Sequence, residues 1–159
     1  MKQKTLLLIA TLALLFTGCK QDDWVDWKLQ NELWIEQNAD APGVQLSPTG
    51  SGLQYKVFYG GNPTDTKPGT TSTVYVKYSL RLINGKVVDS SNGNAASFYL
   101  PQTVTGFAEG VKLMHKKARY ELYIPWELGY GDAENKNRPS SIPPYSTLIF
   151  DVTLEDVQN

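Results

Sequence analysis

Asn84-Gly85 constrains this chain more than any other pair of residues, because the central positions of a tight type I′ hairpin need positive φ, and Asn-Gly supplies it at little cost. Before it, Val74, Val76, Tyr78, Leu80 and Leu82 alternate with Lys77, Ser79 and Arg81, the period of a strand with one buried face. After it, Lys86 to Asp89 is predicted to fold back on that strand. An antiparallel sheet is therefore the least that the fold contains.

The remaining pattern extends that sheet. Leu53 to Phe58 reads as a strand, Phe98 to Leu100 as a short apolar piece, and Tyr120, Leu122 and Ile124 alternate again before Thr147 to Val157 closes as a strand. Thr105 is the expected N-cap of a helix over Gly106 to Met114, whose Phe107, Val111 and Met114 share one face. Gly60 to Ser72 and Pro125 to Pro144 are long loops, and loops of that length in a compact domain are usually functional. About five strands around one short helix predict an α+β domain over residues 53–159, with a twisted antiparallel sheet wrapping the helix.

The N-terminal third has a different character. Lys2 and Lys4 precede an apolar run from Leu6 to Phe16 that is too short for a comfortable membrane span, so residues 1–18 read as a signal segment. Phe16-Thr17-Gly18-Cys19 resembles a bacterial lipobox with Phe in place of the usual Leu, which implies cleavage before Cys19 and its acylation. The alternative is an ordinary secretory signal with a cysteine beside it. Multiple acyl chains would give stable attachment, so Cys19 is the expected lipidation site and membrane contact, on the periplasmic or surface face of the outer membrane. Lys20-Gln21-Asp22-Asp23 is similar to acidic surface-export tags of some bacterial lipoproteins, or is a solvated spacer.

Residues 19–52 then form a tether containing an amphipathic helix. Asp22 to Asn38 has no Gly or Pro and spaces Trp24, Trp27, Leu29, Leu33, Trp34 and Ile35 among polar side chains, with Asp22 or Asp23 as N-cap. So many tryptophans need shelter: the helix packs on the domain, pairs with a second copy in a homodimer, or lies on the membrane. Ala41-Pro42-Gly43 ends the helix, and Ser47 to Gly52 reads as a linker.

Composition and motif content exclude several chemistries. Fifteen basic and sixteen acidic residues leave a formal charge of −1 and no basic patch, so nucleic acid is not an expected partner. His115 is the only histidine and reads as an exposed residue at a helix end, Cys19 is the only cysteine, and no Gly-x-Ser-x-Gly elbow is present, which argues against nucleophilic catalysis. A zinc site needs more His or Cys, and no Walker or dinucleotide glycine pattern occurs, so no metal or cofactor is expected. Rotation about the peptide bond before proline needs none of these groups. Its barrier of about 18–20 kcal/mol comes from amide resonance, and a dry aromatic bowl that favours the twisted, less polar amide lowers it.

Val74 to Asp89 taken with Leu128-Gly129-Tyr130-Gly131 and with Ile142 to Val152 resembles the FK506-binding (FKBP) family of peptidyl-prolyl cis-trans isomerases. The resemblance covers about Leu53 to Val157 and implies an isomerase that binds proline-containing unfolded or exported polypeptides. It implies Tyr78, Asp89, Tyr130 and Phe150 as the catalytic set, Tyr78 on the wall and Tyr130 donating its hydroxyl to the ligand. Phe98 at the rim, Thr103 and Val104 before the helix, Phe107 as the floor and Ile142 in Ile-Pro-Pro are implied as substrate-binding residues, with Val104 giving a backbone N–H. Val88 is placed on the wall too, where the family often has Phe, and Phe107 stands where it often has Trp. These departures leave open a binding module of the same fold with little turnover. A structural lipoprotein whose tryptophan helix makes the partner contact is the remaining alternative.

Overall fold

The computed structural model describes residues 24–159, so the signal segment, Cys19 and the expected caps Asp22 and Asp23 lie outside the described residues. An N-terminal helix, α1 (Val25–Asn38), is followed by β1 (Val44–Leu46), β2 (Gln54–Tyr59), β3 (Thr73–Arg81), β4 (Val87–Ser90) and β5 (Ala96–Tyr99). Next come α2 (Thr105–Lys112), β6 (Arg119–Ile124) and β7 (Leu148–Gln158). The seven strands form one antiparallel sheet in the order β1-β2-β6-β7-β3-β4, with β5 also on β3.

The α+β architecture of a sheet around one short helix is as expected, but the sheet has seven strands where the sequence suggests about five. The additions are short. β1 pairs Val44 with Lys56 and Leu46 with Gln54, and three residues are too few for a period to register. The Phe98 piece belongs to β5, which pairs Val74 with Phe98, while Leu100 opens a 3₁₀ turn.

β3 is the axis of the sheet. One edge pairs along its whole length with β7, while the other is divided between β5 at Thr73–Val76 and β4 at Ser79–Arg81. Ser91 fills the gap: its N–H donates to the Tyr78 carbonyl, and its Oγ accepts from the Tyr78 N–H, both at 3.0 Å. At Asn84-Gly85 only the glycine is left-handed, at φ 81°. Leu82 N–H bonds Lys86 O at 3.0 Å and Gly85 N–H bonds Leu82 O at 2.9 Å, a three-residue loop closed by a glycine bulge in place of the expected two-residue turn.

α2 begins at Thr105, one residue early, so Thr105 is not its cap; the cap position is Val104. Phe107, Val111 and Met114 are buried as the pattern requires, against Leu122, Ile124, Leu148, Val152 and Leu154. Gly106 and Gly110, one turn apart, let the helix lie directly on β6. His115 is half-buried, its Nδ1 3.0 Å from Asp65 O, so it is not the exposed helix end expected.

The segment Ser47 to Gly52 is a fastened hairpin loop. Hydroxyls of Ser47, Thr49 and Ser51 all donate to Glu109 Oε1 on α2, the last two at 2.6 and 2.8 Å. Burial pushes the Glu109 carboxyl up, but these donors and the Lys112 charge outweigh it and hold the group below its ordinary value. A carboxylate lowered on folding adds stability above its unfolded pKa, and that stability is lost as pH falls through the folded value. The melting-temperature gap between wild type and Glu109→Gln should therefore be small but present at neutral pH and close below about pH 4. A gap that ignores pH would assign the anchoring to another group.

Of the three environments open to α1, the one observed is the domain itself. Trp27, Asn31, Trp34 and Ile35 face the sheet side; Trp34 packs on Tyr123 at 5.9 Å, and Gln54 Nε2 donates to Ile35 O at 2.7 Å. The apolar face differs from the expected one, because Val25, Leu29 and Leu33 are exposed and the fully buried residue is Asn31. Trp24 occupies the N-cap position without a side-chain cap.

Candidate functional site

Four aromatic rings from three strands and a helix close a cycle at the mouth of the sheet. Tyr78 of β3 meets Phe98 of β5 edge-on at 5.5 Å, and Phe98 meets Phe107 of α2 at 5.7 Å. Phe107 lies 5.1 Å from Phe150 of β7, which returns to Tyr78 at 6.0 Å. Edge-to-face pairs at such distances are favourable beyond their buried area, so the rings brace one another.

Register explains why residues so far apart in sequence meet. Leu80 pairs with Phe150 on one side and Asp89 on the other, so these three form a row across β7, β3 and β4. The hollow so formed measures about 160 Å³ and is lined by Tyr78, Leu80, Asp89, Phe98, Gln102, Thr103, Val104, Phe107, Tyr130 and Phe150.

The polar groups are few and directed. Tyr78 Oη donates to Asp89 Oδ2 at 2.7 Å, and the other Asp89 oxygen accepts from Ser90 N–H at 2.8 Å. Burial, then the bond to Asp89 and its charge, pushes the Tyr78 hydroxyl well up. Burial and the Asp89 charge raise Tyr130 as well. Both phenols therefore stay protonated donors across the physiological range. Among the described residues the Tyr130 hydroxyl has no hydrogen-bond partner, and neither has the Val104 N–H, which precedes α2 at φ −60° and ψ 144°.

Two residues expected to line the site, Val88 on the wall and Ile142, are not among those around the hollow. Val88 is the extra residue of a bulge: Leu80 pairs with Asp89 and Arg81 with Val87, so Val88 has no partner and packs instead against the core. Ile142 is 3% exposed in the core, its carbonyl accepting from Arg138 Nε at 2.9 Å, and does not reach the hollow. Sequence reasoning missed Leu80 and Gln102. Leu80 was visible in the β3 alternation but read as core, and Gln102 lies in the 3₁₀ turn Leu100–Gln102, where no pattern signals it. Among the described residues, no group of three or more His, Cys, Asp and Glu side chains could hold a metal ion.

An antiparallel sheet wrapped around a short helix, with an aromatic hollow between helix and sheet, defines the class: an α+β domain with an open, apolar-lined site. Residues 64–155 match the family model described as FKBP-type peptidyl-prolyl cis-trans isomerase, and the chain belongs to that family. It is 43% identical over 119 residues to a probable FKBP-type peptidyl-prolyl cis-trans isomerase of Haemophilus influenzae, covering 74% of this chain and 47% of the relative. It is 35% identical over 133 residues to the outer membrane protein MIP of Legionella longbeachae, covering 82% of this chain and 54% of that protein. The crystal structure of FkpA from Escherichia coli superposes with a TM-score of 0.75 at 39% identity, covering 86% of this chain and 61% of that one. The chain thus spans about half the length of the curated relatives it matches.

Proposed function

We propose that this chain is a peptidyl-prolyl cis-trans isomerase of the bacterial envelope, acting on X-Pro bonds of exported, incompletely folded polypeptides. The observation that carries the reading is the closed cycle of Tyr78, Phe98, Phe107 and Phe150 around a hollow edged by two donors that have no partner among the described residues. A proline ring fits such a bowl, and the donors, Val104 N–H and Tyr130 Oη, hold carbonyls flanking the imide. With the substrate gripped on both sides of the bond, the imide carbonyl turns within apolar walls. Its twisted form has lost resonance and is less polar than the planar one, so the dry site favours it. The rate gain comes from binding that form more tightly than either planar isomer, without proton transfer or covalent bond.

Location follows from the N-terminus. The lipobox-like Phe16-Thr17-Gly18-Cys19 supports an anchor at Cys19, and the likeness to the outer membrane protein MIP supports an outer-membrane address. A second reading, a peptide-gripping module with little turnover, draws support from Phe107 where a larger floor is common and from Val88 standing off the wall.

A protease-coupled assay on Leu-Pro and Phe-Pro peptides separates the two readings. Turnover above the spontaneous rate is the expected result. Retained peptide binding at the spontaneous rate would install the second reading, and a Cys19→Ser protein that still fractionates with membranes would remove the anchor.

A further inference from the structure

We propose that Asn31 of α1 is a positioning residue for the isomerase site, acting through the end of the long loop that carries Tyr130. The proposal rests on the isomerase reading for its kinetic test, while its structural test stands without it.

Asn31 is fully buried although polar, and both ends of its amide are used. Its Nδ2 donates to Trp27 O at 2.8 Å within the helix, which orients the group, and its Oδ1 accepts the Thr147 N–H at 2.7 Å from the far end of the chain. Beside it Trp27 Nε1 donates to Ser146 Oγ at 3.1 Å, and that hydroxyl donates in turn to Pro143 O at 2.8 Å. Lys28 sits 5.2 Å over the Tyr145 ring and 5.4 Å over Trp126. One helix face thus grips residues 145 to 147 by three side chains, Trp27, Lys28 and Asn31.

Tyr145 needs that grip. It holds φ 58°, a left-handed conformation that a bulky side chain adopts only when its surroundings enforce it. In that conformation its N–H reaches Gly131 O at 2.9 Å, and Gly131 N–H bonds Trp126 O, also at 2.9 Å. Trp126 stacks edge-on against Tyr145 at 5.2 Å. Tyr130 lies directly before Gly131, so its backbone is held by a strap whose far end is tied to α1.

A buried amide here achieves what an apolar residue would not. Packing alone lets a helix slide or rotate on a surface, whereas a bond to one backbone N–H sets its register. The helix therefore belongs to the machinery that aims the Tyr130 hydroxyl, in addition to whatever it does as a connection to the anchor.

The test is a double-mutant cycle in the purified full chain. Asn31→Ala should lower kcat/KM on a Leu-Pro peptide by about three- to tenfold, and Tyr130→Phe should make the Asn31 change nearly silent. Hydrogen exchange at Tyr130, Gly131 and Tyr145 should quicken in Asn31→Ala while β3 and β7 stay protected. Trp27→Phe, which removes the Ser146 bond and part of the indole packing while leaving the Asn31 bonds in place, supplies a milder version if Asn31→Ala folds poorly. Independent effects of the Asn31 and Tyr130 changes, or exchange that rises evenly across the domain, would reduce Asn31 to a structural contact and overturn the proposal. Absence of turnover in the wild type would sink the isomerase reading instead, and the exchange pattern would still decide the strap.

Discussion

Phe150→Ala should lower kcat/KM on X-Pro peptides by about 10- to 100-fold, since a buried Phe contributes about 1.5–3 kcal/mol of apolar contact and each 1.36 kcal/mol is a factor of ten in rate. Phe150 is the joint of the ring cycle, touching both Phe107 and Tyr78, and it shares the cross-strand row with Leu80 and Asp89. Its removal opens the bowl on the β7 side and admits water where the imide should turn. Phe150 is also 8% exposed and part of the core, so the change costs about 3–5 kcal/mol of stability, and rates must be referred to the folded fraction. Tyr130→Phe avoids that complication. It keeps the ring, removes one hydroxyl that has no partner among the described residues, and should cost about two- to tenfold in kcat/KM with an unchanged melting temperature. Unaltered isomerisation in both variants would remove the hollow from the chemistry.

The residues that meet in that hollow show what a linear reading resolves. The alternation of β3 assigns Tyr78 a face, because a period of two shows wherever a strand is long enough to display it, but the place of Tyr78 and Phe150 in the site is implied by the family resemblance and not by the period. Val88 is placed on the wall by the resemblance alone, and what moves it is invisible in the sequence: a bulge inserts one residue, and the face changes with no mark in the hydrophobic pattern. Ile142 failed because its position depends on how a loop closes, through Arg138 and its carbonyl, rather than on any repeat. The inner face of α1 was misjudged because apolar spacing was weighed and Asn31 was not. Its burial is set by a backbone N–H more than a hundred residues later, a partner visible only once β7 is placed beside the helix. Asn84-Gly85 lies between these cases, a hairpin announced by its residues with a loop geometry decided by the strands that it joins.

Gly106→Ala should destabilise the domain by about 1–3 kcal/mol or more, although alanine is the better helix former by about 1 kcal/mol. A Cβ at Gly106 would stand 3.1 Å from Leu128 Cβ and nearer still to Ile124 Cγ2. Ile124 is fully buried and β-branched on β6, with restricted χ1 freedom in a close-packed core, so α2 must lift away from the sheet. That lift moves Val104 and Phe107 together, because both belong to the same turn that opens the helix. Activity should therefore fall along with the melting temperature, and more than the loss of folded protein accounts for. Ile124→Ala removes the methyl in the way. It should cost about 2–5 kcal/mol alone yet clearly less in the Gly106→Ala background, a coupling of the size seen between residues in direct contact. Denaturant melts of the four proteins measure this coupling. If the two costs simply add, the close approach of α2 to β6 is not what the glycine provides, and the floor of the bowl is held at its height by something else.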